Sequence, residues 1–293
     1  MKLIGIFFTL IVSAFFSILP KFILYRFSDL FYIILYYIVG YRKKVVYRNL
    51  NNSFPDKTQK EIKQIAKKFF LHLSDTLVEN LAFLTMSKKR LLKFVEFEKN
   101  EQIEALYEKN KNIALVTGHY NNWELYFIMP FLSKHKMLAI YKPLTNKYFD
   151  NLFQKMRTRF GVTMVTMKDA YKAALDYNKR GYLSMLLLIA DQRPPKKGGH
   201  YWTTFLNQET AVFLGPEKIA QKLNSAIVFS YLSKIKRGTQ VLKSQVLFEE
   251  TKDLPEYKIT DTHIKLLEDI IMKAPQYWLW SHDRWKHKRE TKC

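Results

Sequence analysis

The sequence predicts an α/β protein with a mostly parallel central sheet flanked by helices. An N-terminal hydrophobic membrane-anchoring helix and a helical, lipid-facing region precede the sheet. Three observations carry this prediction. From Asn112 onward, short apolar runs alternate with longer helical patterns, as strand–helix crossovers require. Residues 58–86 repeat Ile62, Ile65, Ala66, Phe69, Phe70, Leu73, Leu77 and Leu81 at helical spacing. Residues 3–19 carry no charge. With 48% hydrophobic residues and only 9 Gly and 9 Pro in 293, the chain can bury a core, which excludes disordered and collagen-like classes.

Leu3 to Leu19 is seventeen residues long, at the short limit of the roughly 17–25 that cross a bilayer. A second run, Leu30 to Val39, is too short to span alone. Ser17-Ile18-Leu19-Pro20 is a poor cleavage site, which argues against a signal peptide. A spanning anchor and an interfacial helix in one leaflet both fit, and a buried core helix is the plainer alternative. Arg26, Arg42, Lys43, Lys44 and Arg48 follow the segment, which by charge bias puts the body on the cytoplasmic side. Residues 1–40 are read as anchor or interfacial helices. Residues 41–293 are read as the main domain, helical over 41–110 and α/β over 111–293.

The body continues with strands at 113–117, 137–141, 162–166 and 183–190. Helices are expected from the first strand through Leu132, from about Lys147 to Phe160, and over 169–180. Glu217 to Leu223 and Thr262 to Lys273 read as helices. Residues 226–232 and 241–248 read as paired strands around Gly238. The single cysteine, Cys293, excludes a disulfide framework and a cysteine-based metal site. The net charge of +22 points to an anionic partner, either nucleic acid or an anionic membrane. Basic residues are spread along the whole chain with no nucleic-acid motif, so the membrane is favoured.

Chemistry concentrates at His119-Tyr120-Asn121-Asn122-Trp123-Glu124, directly after the first strand. The H-x4-E pattern alone says little, because His263 and Glu268 also fit it. Within a helix, positions five apart point in different directions. His119 instead falls at the C-terminal mouth of a strand, where α/β sheets collect ligands. A loop there can return the histidine toward Glu124, whose carboxylate would fix the ring tautomer. The other reading is a capping box of Asn121 and Glu124 beside a loop histidine. Asp191-Gln192 stands at a second strand mouth, followed by Gly198-Gly199 and the aromatic 201–205 stretch. Arg157 and Arg159 offer cations for a phosphate or an oxyanion, or form a solvated helix face. Residues 275–286 are too aromatic for a surface tail and too basic for a core.

Taken in order, several motifs resemble one family. These are Tyr41-Arg42-Lys43-Lys44, Asn49-Leu50 with Phe54-Pro55, and His119 to Glu124. They continue with 140–144, Arg157-x-Arg159, Asp191-Gln192, 203–220 and the 274–289 ending. Together they resemble the late acyltransferases of lipid A biosynthesis, bacterial inner-membrane enzymes. The resemblance implies transfer of a fatty acyl chain from acyl carrier protein to a hydroxyl of a lipid A precursor, without cofactor or metal. It implies His119 as general base, Glu124 as its orienting carboxylate, and Arg157 or a backbone N–H near Gly118 as oxyanion donor. Arg159, Asn122, Asp191 and Gln192 complete the expected substrate or oxyanion contacts. The same chemistry on a lysophospholipid or an amino-acid-containing lipid is the alternative within enzymes. Outside them stands a non-catalytic basic membrane- or nucleic-acid-binding protein. Asp283 between His282 and Arg284, and Pro194 to Lys197 after Gln192, depart from the family pattern. They bear on the acceptor more than on the reaction.

Overall fold

A computed structural model describes residues 2–97, 100–143, 145–195 and 200–289. Leu144, Lys196, Lys197, Gly198, Gly199 and Cys293 lie outside the described residues. The helical region comprises α1 (Lys2–Ile18), α2 (Lys21–Ile33) with a π-helical turn to Ile38, α3 (Lys43–Ser53), α4 (Gln59–Phe83) and α5 (Lys88–Leu91). Next come β1 (Val95–Phe97), α6 (Glu101–Glu108), β2 (Ile113–Thr117), a 3-10 helix (Trp123–Phe131), β3 (Lys136–Tyr141), α7 (Lys147–Thr158), β4 (Thr163–Thr166), α8 (Ala170–Lys179) and β5 (Ser184–Ile189). The chain continues through β6 (His200–Phe205), β7 (Gln208–Phe213), α9 (Gly215–Leu223), β8 (Ala226–Lys236), β9 (Thr239–Phe248) and α10 (Lys258–Lys273).

The expected α/β architecture is present. Seven strands form one sheet in the order β1-β9-β8-β2-β5-β3-β4. All neighbours pair in parallel except β8 and β9, which are antiparallel around Gly238 at φ +76. The central strand β2 is buried along its whole length, as a strand covered on both faces must be. Three details differ from the sequence reading. Strand β1 lies within residues 41–110, expected to be helical, yet it pairs in parallel with β9 at the sheet edge. The segment after β2 winds as a 3-10 helix with Pro130 inside it, where an α-helical turn would drive the proline ring against the carbonyl four residues back. Residues 200–213 form an antiparallel hairpin, β6–β7, turning through Leu206 and Asn207 at positive φ.

Helix α4 organises the first third of the chain. Thr58 and Glu61 close a reciprocal capping box at its start, satisfying two free N–H groups. Its face of Ile62, Ala66, Phe69, Phe70 and Leu73 is buried. Helices α1 and α2 lie against it. Phe16, Leu24, Tyr25 and Ser28 face inward and are buried, whereas Phe7, Phe8, Ile11, Phe15 and Phe22 are exposed.

The spanning-anchor expectation is not supported by helix length. Among the described residues, no single helix is long and apolar enough to cross a membrane. The 17 residues of α1 extend only ~26 Å, short of a ~30 Å hydrocarbon core. Lys21–Ile38 and Lys43–Ser53 are long and apolar enough only when taken together, and they are bent by 86° relative to each other.

Candidate active site

Two adjacent strands deliver the central pair. Strands β2 and β5 pair in parallel with Thr117 opposite Ile189. Two residues further along each strand stand His119 and Asp191. The His119 ring Nδ1 lies 2.6 Å from Asp191 Oδ1, and the His119 backbone N–H donates to Asp191 Oδ2 at 2.8 Å. Trp278 Nε1 donates to the same Oδ2 at 2.7 Å. Gly118 permits this approach: a Cβ there would lie 3.1 Å from Asp191 Oδ2 and 2.8 Å from Leu267 Cδ1.

The electrostatics fix the tautomer. Burial pushes the Asp191 carboxyl up, but the His119 charge and the hydrogen bonds from His119 and Trp278 outweigh it and hold the group below its ordinary value. An ionised carboxylate can only accept, so Nδ1 of His119 carries the proton. Whenever the ring is neutral, Nε2 is then the acceptor, facing the Gln192 amide nitrogen across 3.1 Å. The His119 side chain keeps 17% of its surface open while Asp191 keeps 2%. The nitrogen away from the carboxylate is therefore the one able to accept a proton.

Glu124 is placed differently from the sequence expectation. Its carboxylate is bound by Arg157 in a fork, Nη2 to Oε1 at 2.8 Å and Nε to Oε2 at 3.2 Å. The carboxylate on the His119 ring is Asp191's, because β5 inserts between β2 and β3 and brings its own mouth beside the histidine. Asn122 caps the 3-10 helix, with Oδ1 accepting from the Glu124 N–H at 3.3 Å. It is completely buried, so it faces the protein rather than a ligand. Arg159 also points elsewhere, its Nη2 donating to the carbonyls of Phe83 and Met86 at 2.6 and 2.5 Å. The Phe83 carbonyl is at the C-terminal end of α4 and that of Met86 lies just beyond it, a place a cation satisfies well. Gln192 and Asp191 are thus at His119, Arg157 and Glu124 form a second pair, and Arg159 and Asn122 serve the framework.

The aromatic ending has a role the sequence reading did not assign. Tyr120 makes an isolated antiparallel bridge to Trp278, and the Asn121 N–H donates to the Tyr277 carbonyl at 2.9 Å. Trp278 and Trp280 are buried behind the histidine loop. Helix α3 holds the same ending: Asn49 Nδ2 donates to the carbonyls of Trp280 and His282, and Arg42 to that of Ser281. Arg48 pairs with Asp283. Part of the basic cluster of residues 42–48 is therefore spent on internal contacts. Trp278 was the missed site residue, and the only signal for it was the dense aromatic composition of that segment. Among the described residues no cluster of three or more metal-ligating side chains occurs.

A carboxylate-held histidine at the mouth of a parallel sheet is the arrangement of an α/β enzyme that moves a proton. The chain belongs to the bacterial lipid A biosynthesis acyltransferase family, whose family model matches residues 1–287, and it is an acyltransferase. It is similar to the lipid A biosynthesis lauroyltransferase of Escherichia coli K12, with 24% identity over 85% of this chain and 80% of that protein. It is 24% identical to a lipid A biosynthesis acyltransferase of Haemophilus influenzae, over 92% of this chain and 85% of the relative. The lipid A biosynthesis palmitoleoyltransferase of Escherichia coli K12 is 22% identical over 84% of this chain and 79% of its own length.

Proposed function

We propose that this protein moves a fatty acyl chain from acyl carrier protein to a hydroxyl of a lipid A precursor, at the cytoplasmic face of the bacterial inner membrane. The observation that carries the chemistry is the His119–Asp191 pair, which occupies Nδ1 and leaves Nε2, beside Gln192, as the nitrogen to take a proton. The acceptor hydroxyl displaces the Gln192 amide and gives its proton to Nε2 as its oxygen attacks the thioester carbonyl. Asp191 stabilises the imidazolium that forms. The tetrahedral intermediate then collapses, the C–S bond breaks, and the thiolate takes the proton back. The donor is already activated, so neither a protein nucleophile nor a cofactor is required. Arg157, held flat by Glu124, is the proposed oxyanion donor, a role Glu124 serves by orienting the guanidinium.

Membrane association is supported by the apolar outer face of α1 and α2 and by the net charge of +22. Helices of this kind lie in the interface and bind more strongly to anionic lipid. The same positive charge suits acyl carrier protein as an acidic partner.

Purified protein incubated with acyl-loaded acyl carrier protein and a lipid A precursor should give the acylated lipid by mass spectrometry. The His119→Ala variant should give a rate lower on the order of 10²–10⁴-fold. Transfer to lysophospholipid or to an amino-acid-containing lipid, with none to the lipid A precursor, would replace the acceptor assignment.

A further inference from the structure

We propose that Glu79 on α4 is a positioning residue for this reaction. Through Asn122 it fixes the loop that carries His119 and Glu124, and through Tyr25 it ties that loop to α2. The inference rests on the reading of His119 as the base.

The geometry is continuous. Asn122 Oδ1 accepts from the Glu124 N–H, so the amide NH2 must point the other way. It donates to Glu79 Oε2 at 2.7 Å. The other carboxylate oxygen, Oε1, accepts from Tyr25 Oη at 2.5 Å. The Asn122 backbone N–H donates to Gln240 Oε1 at 3.3 Å, so strand β9 closes the remaining side. Glu79 and Asn122 are 3% and 0% exposed. A carboxylate this deep is costly unless donors meet it, and these donors come from α2 and from the catalytic loop. Burial pushes the Glu79 carboxyl up while the Tyr25 and Asn122 hydrogen bonds act against it.

Tyr25 has little freedom to look elsewhere. The β8–β9 turn presses on it: a Cβ at Gly238 would sit 2.5 Å from Tyr25 Oη. The neighbouring carboxylate, Asp75, is held separately by Ser28 of α2 and by Lys234 and Arg237 of the hairpin. Helix α2 therefore spends its polar face on α4 while Phe22, Leu30 and Ile33 on its outer side are exposed. The seating of this apolar helix and the position of the catalytic loop meet at one side chain.

The test uses the full-length protein and the variants Glu79→Ala, Glu79→Gln and Tyr25→Phe. Amide hydrogen exchange is read in the loop peptide 113–125 and in a control peptide from α10. Glu79→Ala should raise loop exchange about tenfold and leave α10 unchanged, because it strips the Asn122 amide of its partner. It should lower kcat about tenfold or more with acceptor KM nearly constant, since the loop would be misplaced rather than the acceptor site lost. Glu79→Gln should restore most of both, because its carbonyl accepts from Asn122 and the Tyr25 hydroxyl can turn to accept from its NH2. Tyr25→Phe should give a smaller change in the same direction, and it decides the matter if Glu79→Ala does not fold. Unchanged loop exchange in Tyr25→Phe and Glu79→Ala, or an equal rise in loop and α10, would overturn the proposal. Loosened loops with normal kcat would do so too. Absence of acyl transfer by the unaltered protein would instead strike at the proposed function and leave the exchange comparison standing.

Discussion

Asp191 accepts two hydrogen bonds from His119, one from the ring and one from the backbone, although 72 residues separate them. The second bond matters as much as the first. It locks the carboxylate to the main chain of the residue it orients, so ring and carboxylate cannot drift apart independently.

Asp191→Asn should lower acyl transfer on the order of 10²–10⁴-fold while the fold persists. An asparagine that turns its NH2 toward Nδ1 makes that nitrogen an acceptor and moves the proton to Nε2, the nitrogen required as base. Steady-state rates across pH, with thermal melting as control, measure this. A variant with more than half of normal activity would refute the orienting role.

Glu124→Gln should act through Arg157 rather than through the histidine. Losing one charge-assisted bond of the fork loosens the guanidinium, and a rate loss on the order of 10–10²-fold is expected. The acid limb of the pH–rate profile, which reports the general base, should stay where it is, unlike that of Asp191→Asn. Arg157→Lys should be similarly impaired, since an ammonium cannot bridge both oxygens in plane. A shifted profile for Glu124→Gln would return the histidine-orienting role to Glu124.

Stability should fall as pH drops from about 6.5 toward 4. Burial lowers the His72 pKa to about 3 and those of His263 and His282 to about 4. These rings stay neutral in the fold, whereas the unfolded chain takes up protons below ~6.5. The unfolded state binds more protons in that window, so each histidine removes on the order of 1–2 kcal/mol by pH 5. Asp191, held below its ordinary value, adds stability above ~3.8 that is lost only at still lower pH. Thermal melting between pH 7 and 4.5 tests this, and His263→Gln should flatten the slope. A melting temperature constant over that range would contradict it.

Membrane binding should depend on the outer face of α1 rather than on its mere presence. Deleting residues 1–20 would also remove Phe16, which is buried, and Ser13, which meets Thr85 Oγ1 at 2.9 Å. Replacing exposed Phe7, Phe8 and Ile11 by Ser spares both contacts. Each exchange removes roughly 1.5–3 kcal/mol of apolar burial in lipid. Vesicle flotation with anionic and neutral lipids, with and without salt, should show weakened binding of a folded protein. Unchanged flotation on both would rule out this face as the docking surface.

The sequence by itself determined the alternation of strands and helices, the apolar first segment and the placement of His119 at a strand mouth. All three follow from local periodicity, which survives in any single chain. It also marked Asp191-Gln192 as a second strand mouth. Only the tertiary structure decided that these two mouths adjoin, because strand order is set by long-range pairing: β5 enters between β2 and β3. That insertion gives His119 the carboxylate of Asp191 and leaves Glu124 to Arg157. The same holds for Arg159 and Asn122, whose polar residue types suit a ligand as readily as a framework. Arg159 meets the carbonyl end of α4 and Asn122 meets the buried Glu79. A spacing such as H-x4-E reports distance along the chain. Which carboxylate reaches the ring is a matter of sheet register, and register exists only once the strands have paired.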